Sequence, residues 1–280
     1  MFNVIRMMPG WVFSIRGRVP RWGSFALGAA PVALILVFWW MLTRGAVEER
    51  TISPTILPSP AEVVWSVPDL LGHRDQEGRG LFFHVGLSIR RVGEGYLVAL
   101  AAVLPLGILM GAFGSVRSMF VPVMTASGYI PIATLVPLTM SWFGTGEEQK
   151  VMFLALAFGI YLLPLVVGAI ESVPDVYLRT AYTLGTSRWQ TVWRVLVPVA
   201  LPDLWHAMRL SFGVGWTYLV LAEVIVLTGG LGNIIEIARR RGPREHIYLA
   251  IVIITLIAWV ADIAWAKTAD LIFPYRRSRA

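Results

Sequence analysis

The 280-residue sequence contains no cysteine, which excludes disulfides, thiolate metal sites and cysteine nucleophiles together. Histidine is nearly as scarce. His73, His84, His206 and His246 fall on separate segments without metal-like spacing, so they read as structural groups and no metal centre is expected. Charged residues make up 15% of the chain, against about 25% in an average soluble domain. Catalytic and nucleotide signatures are missing as well: there is no G-x-x-x-x-G-K-[ST], H-E-x-x-H or G-x-S-x-G, and no G-x-G-x-x-G opening a helix after a strand. An enzyme built on those motifs is excluded, no cofactor is expected, and any nucleotide must bind a partner.

What the chain has in excess is apolar sequence. Hydrophobic residues are 56% of the total and the mean hydropathy is +0.68. Runs of at least 20 residues without Lys, Arg, Asp or Glu lie between Arg21 and Arg44, Glu94 and Arg117, Arg117 and Glu147, and Lys150 and Glu171. About 20 apolar residues cross a hydrocarbon core as a helix, so these runs predict four crossings. A fifth, around 204–228, is interrupted by Arg209 and Glu223, and a sixth, from His246 to Ala266, contains Asp262. The expected fold is all-α, a polytopic membrane protein of six spanning helices. A net charge of +7 would suit nucleic acid in a soluble chain, but here the arginines flank apolar blocks, as cations beside membrane helices do. No nucleic-acid partner is expected; lipid is.

The first apolar run is too long for a cleaved signal and no small-x-small site follows it, so it reads as an anchor helix. Prolines 31, 105, 122, 131, 137 and 164 inside or beside the spans suggest kinked helices whose neighbours satisfy the freed carbonyls. Gly93, Gly95, Gly107, Gly111 and Gly114 are expected to let backbones approach. Between the spans, Ser59, Pro60 and Glu62 form a helix start with a capping box. The segment 172–203 carries an amphipathic pattern, with Asp175 placed to open a helix and Gly185 to end it. Lys and Arg are almost evenly divided between the two sides of a six-span topology, and Arg6, Arg16, Arg18 and Arg21 before the first span favour a cytoplasmic amino terminus.

Ionisable groups within spans are costly unless paired or wetted. Arg209 and Glu223 are too far apart along one helix to meet, so each needs its own partner, either at an interface or along a hydrophilic path. Arg209, Trp216, Glu223, Met140 and Trp142 are the candidates for pathway or gate. Trp142 sits near a predicted interface, where an aromatic belt accounts for most such tryptophans, and Trp216, mid-span, fits helix packing about as well as pathway lining.

The segment 172–203 and the fifth span resemble the permease subunits of binding-protein-dependent ABC importers. Their cytoplasmic loop carries E-A-A, three residues, G, nine residues, I-x-L-P. Here Arg179 stands for the usual glutamate and Thr180 for the first alanine, while Ala181, Gly185, Val195, Val197 and Pro198 keep the spacing. LPSPAEVVWSV, HVGLSIRRVGEGY, IPIATLVPLTMSWFGTGEEQK, WRVLVPVALPDLWHAMRLSFGVGWTYLVLAEV and GGLGNIIEIA, over roughly 53–272, are similar to the sulfonate, taurine, nitrate and bicarbonate branch in the same order.

The resemblance implies a type I importer permease with two ATPase subunits, a second permease copy as a homodimer, and a periplasmic or lipid-anchored solute-binding protein. It implies ATPase coupling through Arg179, Thr180, Ala181, Gly185, Arg188, Val195, Pro198 and Pro202, with Glu171 or Asp175 as compensating partners for Arg179. It also implies an inner-membrane protein with both termini cytoplasmic. Residues 1–44 are then the amino terminus and anchor, 45–82 a periplasmic segment, 83–272 the permease core and 273–280 a cytoplasmic tail. A channel or membrane enzyme could share a six-helix bundle but would have no need to keep the amphipathic loop, and a membrane scaffold without transport is a third alternative.

Overall fold

The long uncharged runs fold as helices because a backbone in lipid must bond to itself. The computed structural model describes residues 19–45, 50, 52–75, 77–225 and 228–275, and among them every regular element is helical. Residues 1–18, which include Arg6, Arg16 and Arg18, and the tail beyond 275 lie outside the described residues, as does the side chain of Arg21.

The chain divides into two units, with the boundary after Ser66. In the first, α1 (Arg21–Thr43) carries Pro31 in its interior and shows Phe25, Val32, Leu34, Ile35 and Phe38 on its surface. α2 (Pro60–Trp65) starts with the expected reciprocal cap. Ser59 N–H donates to Glu62 Oε2 at 2.7 Å, and Glu62 N–H donates to Ser59 Oγ at 3.2 Å. Arg50 pairs with the same carboxylate at 2.8 Å and holds it below the usual carboxylate range. Trp39 Nε1–H donates to Pro58 O at 2.8 Å, tying the end of α1 to the approach of α2.

The second unit begins with α3 (Val67–Gly72) and is built on three long helices: α4 (Leu81–Ala112), α7 (Glu147–Glu171) and α10 (Val197–Val224). α7 is the central one, packing extensively against both others. α4 starts well before the uncharged run that begins after Glu94. Its charges find partners, Arg90 with Glu94 at 2.7 Å and Arg91 with distant carboxylates, so they do not terminate the helix.

The run between Arg117 and Glu147 is not one straight crossing. It forms α5 (Gly114–Ser127), a 3-10 turn (Ile132–Thr134) and α6 (Leu135–Phe143), bent by 90°. Pro131 lacks an N–H and pushes its predecessor out of helical geometry, which accounts for the break. α1, α4, α7 and α12 (Glu245–Ile272) are long and apolar enough to cross a membrane, and the bent pair makes a fifth such unit. α10 has 28 residues, length enough for about 42 Å, and only its polar content lowers its hydropathy.

Glycines fix how closely α4 lies on α7. A Cβ on Gly95 would come within 2.8 Å of Leu154 Cβ, on Gly107 within 2.6 Å of Val166 Cγ1, and on Gly111 within 2.6 Å of Ile170 Cβ. Gly93 and Gly114, expected to act in the same way, have nothing within 4 Å. One core cluster spans this contact and continues through Ile108, Leu162, Val166, Ile170, Leu196 and Leu204.

Candidate coupling loop and buried charge network

After α7 the chain turns at Pro174 into α8 (Asp175–Thr183), whose first turn holds Asp175. It stops where Gly185 takes φ +77°, a left-handed conformation that costs other L residues about 1–2 kcal/mol. The turn closes with Gly185 N–H donating to Tyr182 O at 3.0 Å, while Thr186 N–H and Oγ1–H both donate to Ala181 O. A second capping box, Ser187 with Gln190, then starts α9 (Arg188–Thr191). A π-helical stretch, Val192–Leu196, leads into α10. Pro198 and Pro202 each withdraw an N–H there, and the backbone widens just before them.

The loop's apolar pattern points mostly outward. Ala181 is buried and Leu178 half-buried. Val176, Tyr177, Tyr182, Leu184 and Trp189 are exposed, Leu184 at 78%. Arg179, Thr180, Arg188 and Gly185 are exposed as well, Val195 is half-buried and Pro198 exposed. Glu171 does not compensate Arg179, since it pairs with Arg117 at 2.5 Å; among the described residues Arg179 makes no ion pair. A cavity of about 630 Å³ opens between the loop and the α4–α5 junction, with Arg117, Glu171, Asp175, Tyr182 and Arg188 in its wall.

At the opposite end of α7 lies a network of charges in which Arg91, Lys150 and Glu223 are removed from water and Glu147 stays half exposed. Arg91, 1% exposed, donates from Nη1 to Glu223 Oε1 at 2.8 Å and to Gly229 O at 2.8 Å. From Nε and Nη2 it forms a two-pronged pair with Glu147 at 2.7 and 2.5 Å. Glu223 is fully buried and also accepts from Ser88 Oγ–H at 2.8 Å and Gly232 N–H at 2.8 Å. The buried Lys150 ammonium donates to Thr228 Oγ1. His84 Nδ1 accepts from Gly230 N–H at 3.1 Å. Its other nitrogen faces Asp75 at 3.6 Å. Desolvation favours the neutral acid at Asp75, but hydrogen bonds from Arg79 and the Glu77 N–H outweigh it and lower its pKa. This network joins α4, α7, α10 and the start of α11 (Leu231–Arg241).

Arg209 and Glu223 therefore do have separate partners. Arg209 forms a two-pronged pair with Asp262 of α12 at 2.6 and 2.7 Å. Trp216 is 5% exposed and packs edge-on to Phe212 at 6.2 Å. Met140 is half-buried and Trp142 60% exposed on α6. Arg209, Trp216 and Glu223 recur every seven residues along α10 and so share one stripe of that helix, while Met140 and Trp142 lie on α6. Sequence reasoning missed Arg91, Glu147 and Lys150, because they lie at the margins of uncharged runs. The signal available was their number: three charges within or beside spans, in a chain with few.

A family model described as binding-protein-dependent transport system inner membrane component matches residues 103–266. Over 249 residues the chain is 30% identical to a taurine transport system permease protein of Escherichia coli, covering 89% of each. It is 28% identical to a putative aliphatic sulfonates transport permease protein of Bacillus subtilis, covering 82% of this chain and 80% of that one. In three dimensions it resembles a chain of a methionine ABC transporter in an inward-facing conformation, with TM-score 0.63, 18% identity and coverage of 69% of this chain and 95% of that one. At that identity the likeness carries the fold.

Proposed function

The chain belongs to the binding-protein-dependent transport system inner membrane components, the permease subunits of ABC importers, and from that premise we propose how it works. Two copies form the membrane passage, two ATPase subunits dock from the cytoplasm on α8 and the turn at Gly185, and an external binding protein delivers the solute. Nucleotide-driven movement of the ATPases pushes this rigid elbow and rocks the bundle between outward and inward openings, a two-state element biased from another subunit. The passage then lies in the inner membrane with both termini cytoplasmic, and residues 83–272 act as the moving core. The solute is a small molecule bearing an anionic sulfonate group, in keeping with the relatives' names.

The observation that carries this reading is the outward-facing apolar surface of the loop, where Leu184 and Trp189 stand 78% and 59% exposed beside a glycine turn. Large apolar side chains presented on a charged, amphipathic segment mark a protein contact. Arg209 does not supply the anion preference, since its charge is answered by Asp262. The test is copurification with the cognate ATPase. Leu184→Ser with Trp189→Ser is expected to abolish it while leaving the permease monodisperse in detergent. Retention of the ATPase by that variant would remove the loop from the interface.

A further inference from the structure

Tyr161 and Tyr218 lie on the long, mutually packed helices α7 and α10, their rings stacked with centroids 6.3 Å apart and their hydroxyls 3.1 Å apart. Tyr161 is 38% exposed and sits near the middle of α7. The shared hydrogen bond uses one phenolic proton, and the other has no acceptor among the described residues. A hydroxyl placed in hydrocarbon without a partner costs about 1–3 kcal/mol, so this surface does not suit lipid.

The surroundings differ in kind from a lipid-facing surface. Between 251 and 260 on α12 the exposed side chains are Ile251, Val252, Leu256, Trp259 and Val260, with Thr255 bonded back to the Ile251 carbonyl. Beside the tyrosines they are Pro164 and Gly168 on α7, and Gly213 and Thr217 on α10. Gly168 and Gly213 have nothing within 4 Å of a would-be Cβ, so no neighbour within the chain requires their smallness. Gly107 and Gly111, which are pressed against α7, show the contrast.

Resting on the importer reading above, we propose that Tyr161 and Tyr218 are solute-contacting residues of the translocation path, donating hydrogen bonds at mid-membrane to the oxygen atoms of a passing oxyanion. A phenol suits that task, because it donates without carrying a fixed charge that would hold the anion. A path needs sites that bind well enough for entry and weakly enough for exit.

The cysteine-free sequence makes the test direct. Thr217→Cys, Gly168→Cys and, on α12, Leu256→Cys are made singly in the complete transporter, reconstituted in proteoliposomes with its ATPase and binding protein. Each is treated with a membrane-impermeant methanethiosulfonate reagent. The first two are expected to react at least about tenfold faster than Leu256→Cys, as thiols in water do beside thiols in hydrocarbon. Equal protection of all three, as by lipid or by a second copy packed on this face, overturns the proposal.

A second arm measures taurine and nitrate moved per ATP hydrolysed. Tyr161→Phe with Tyr218→Phe is expected to lower that ratio about tenfold for an anion the unsubstituted transporter carries, the value of a lost hydrogen bond to a charged group. An unchanged ratio overturns it. Failure of the unsubstituted complex to couple ATP to any uptake would instead strike the importer reading, which the labelling contrast does not use.

Discussion

At the scale of single residues, the deepest charges hold one another. Glu223 is out of reach of water and accepts from Arg91, Ser88 and Gly232 at once. Removing one member of such a group leaves the other charge buried and unanswered, which costs about 3–5 kcal/mol. Glu223→Ala is therefore expected to lower the thermal unfolding temperature of the purified permease markedly. Glu223→Gln, which keeps the acceptor for Ser88 and Gly232, should lower it less. Equal Tm values for Glu223→Ala and the unsubstituted protein would show that the network carries no stability. The sequence announced Glu223 as a group in need of a partner, but could not name Arg91, which is 132 positions away.

At the scale of elements, packing of α4 on α7 rests on small residues because lipid supplies no hydrophobic force between helices. Gly111→Val would drive a Cβ to within 2.6 Å of Ile170 Cβ, and overpacking of this kind costs about 1–3 kcal/mol. Gly114→Ala, with nothing within 4 Å, is expected to leave stability unchanged. A size-exclusion thermostability assay on the two variants checks the contrast. Both residues are glycines beside the same span, and the sequence reading put them in one class. Gly111 lies on the side of α4 pressed against α7, whereas Gly114 falls past the end of that helix and opens α5. The loop shows the same limit. Its amphipathic pattern and its stop at Gly185 were legible from composition and spacing. The outward direction of Val176, Tyr182 and Leu184 was not, since a periodic pattern defines a face without saying what covers it.

At the scale of the molecule, the proposed function makes this chain a subunit whose passage and motor contacts are completed by other chains. Native mass spectrometry of the purified transporter is expected to give two copies of this chain with two ATPase subunits. A stable complex with a single copy would contradict the homodimeric passage.

The sequence by itself determined the solvent, the helical class and the family resemblance, because uncharged runs of membrane-spanning length leave a chain no other way to satisfy its backbone, and because the loop motif is local in the chain. The tertiary structure alone decided which charges meet, where the third apolar run breaks, and which glycines and tyrosines face outward. Those outcomes depend on helix rotation and on contacts between residues far apart in sequence, and neither is encoded in any one segment.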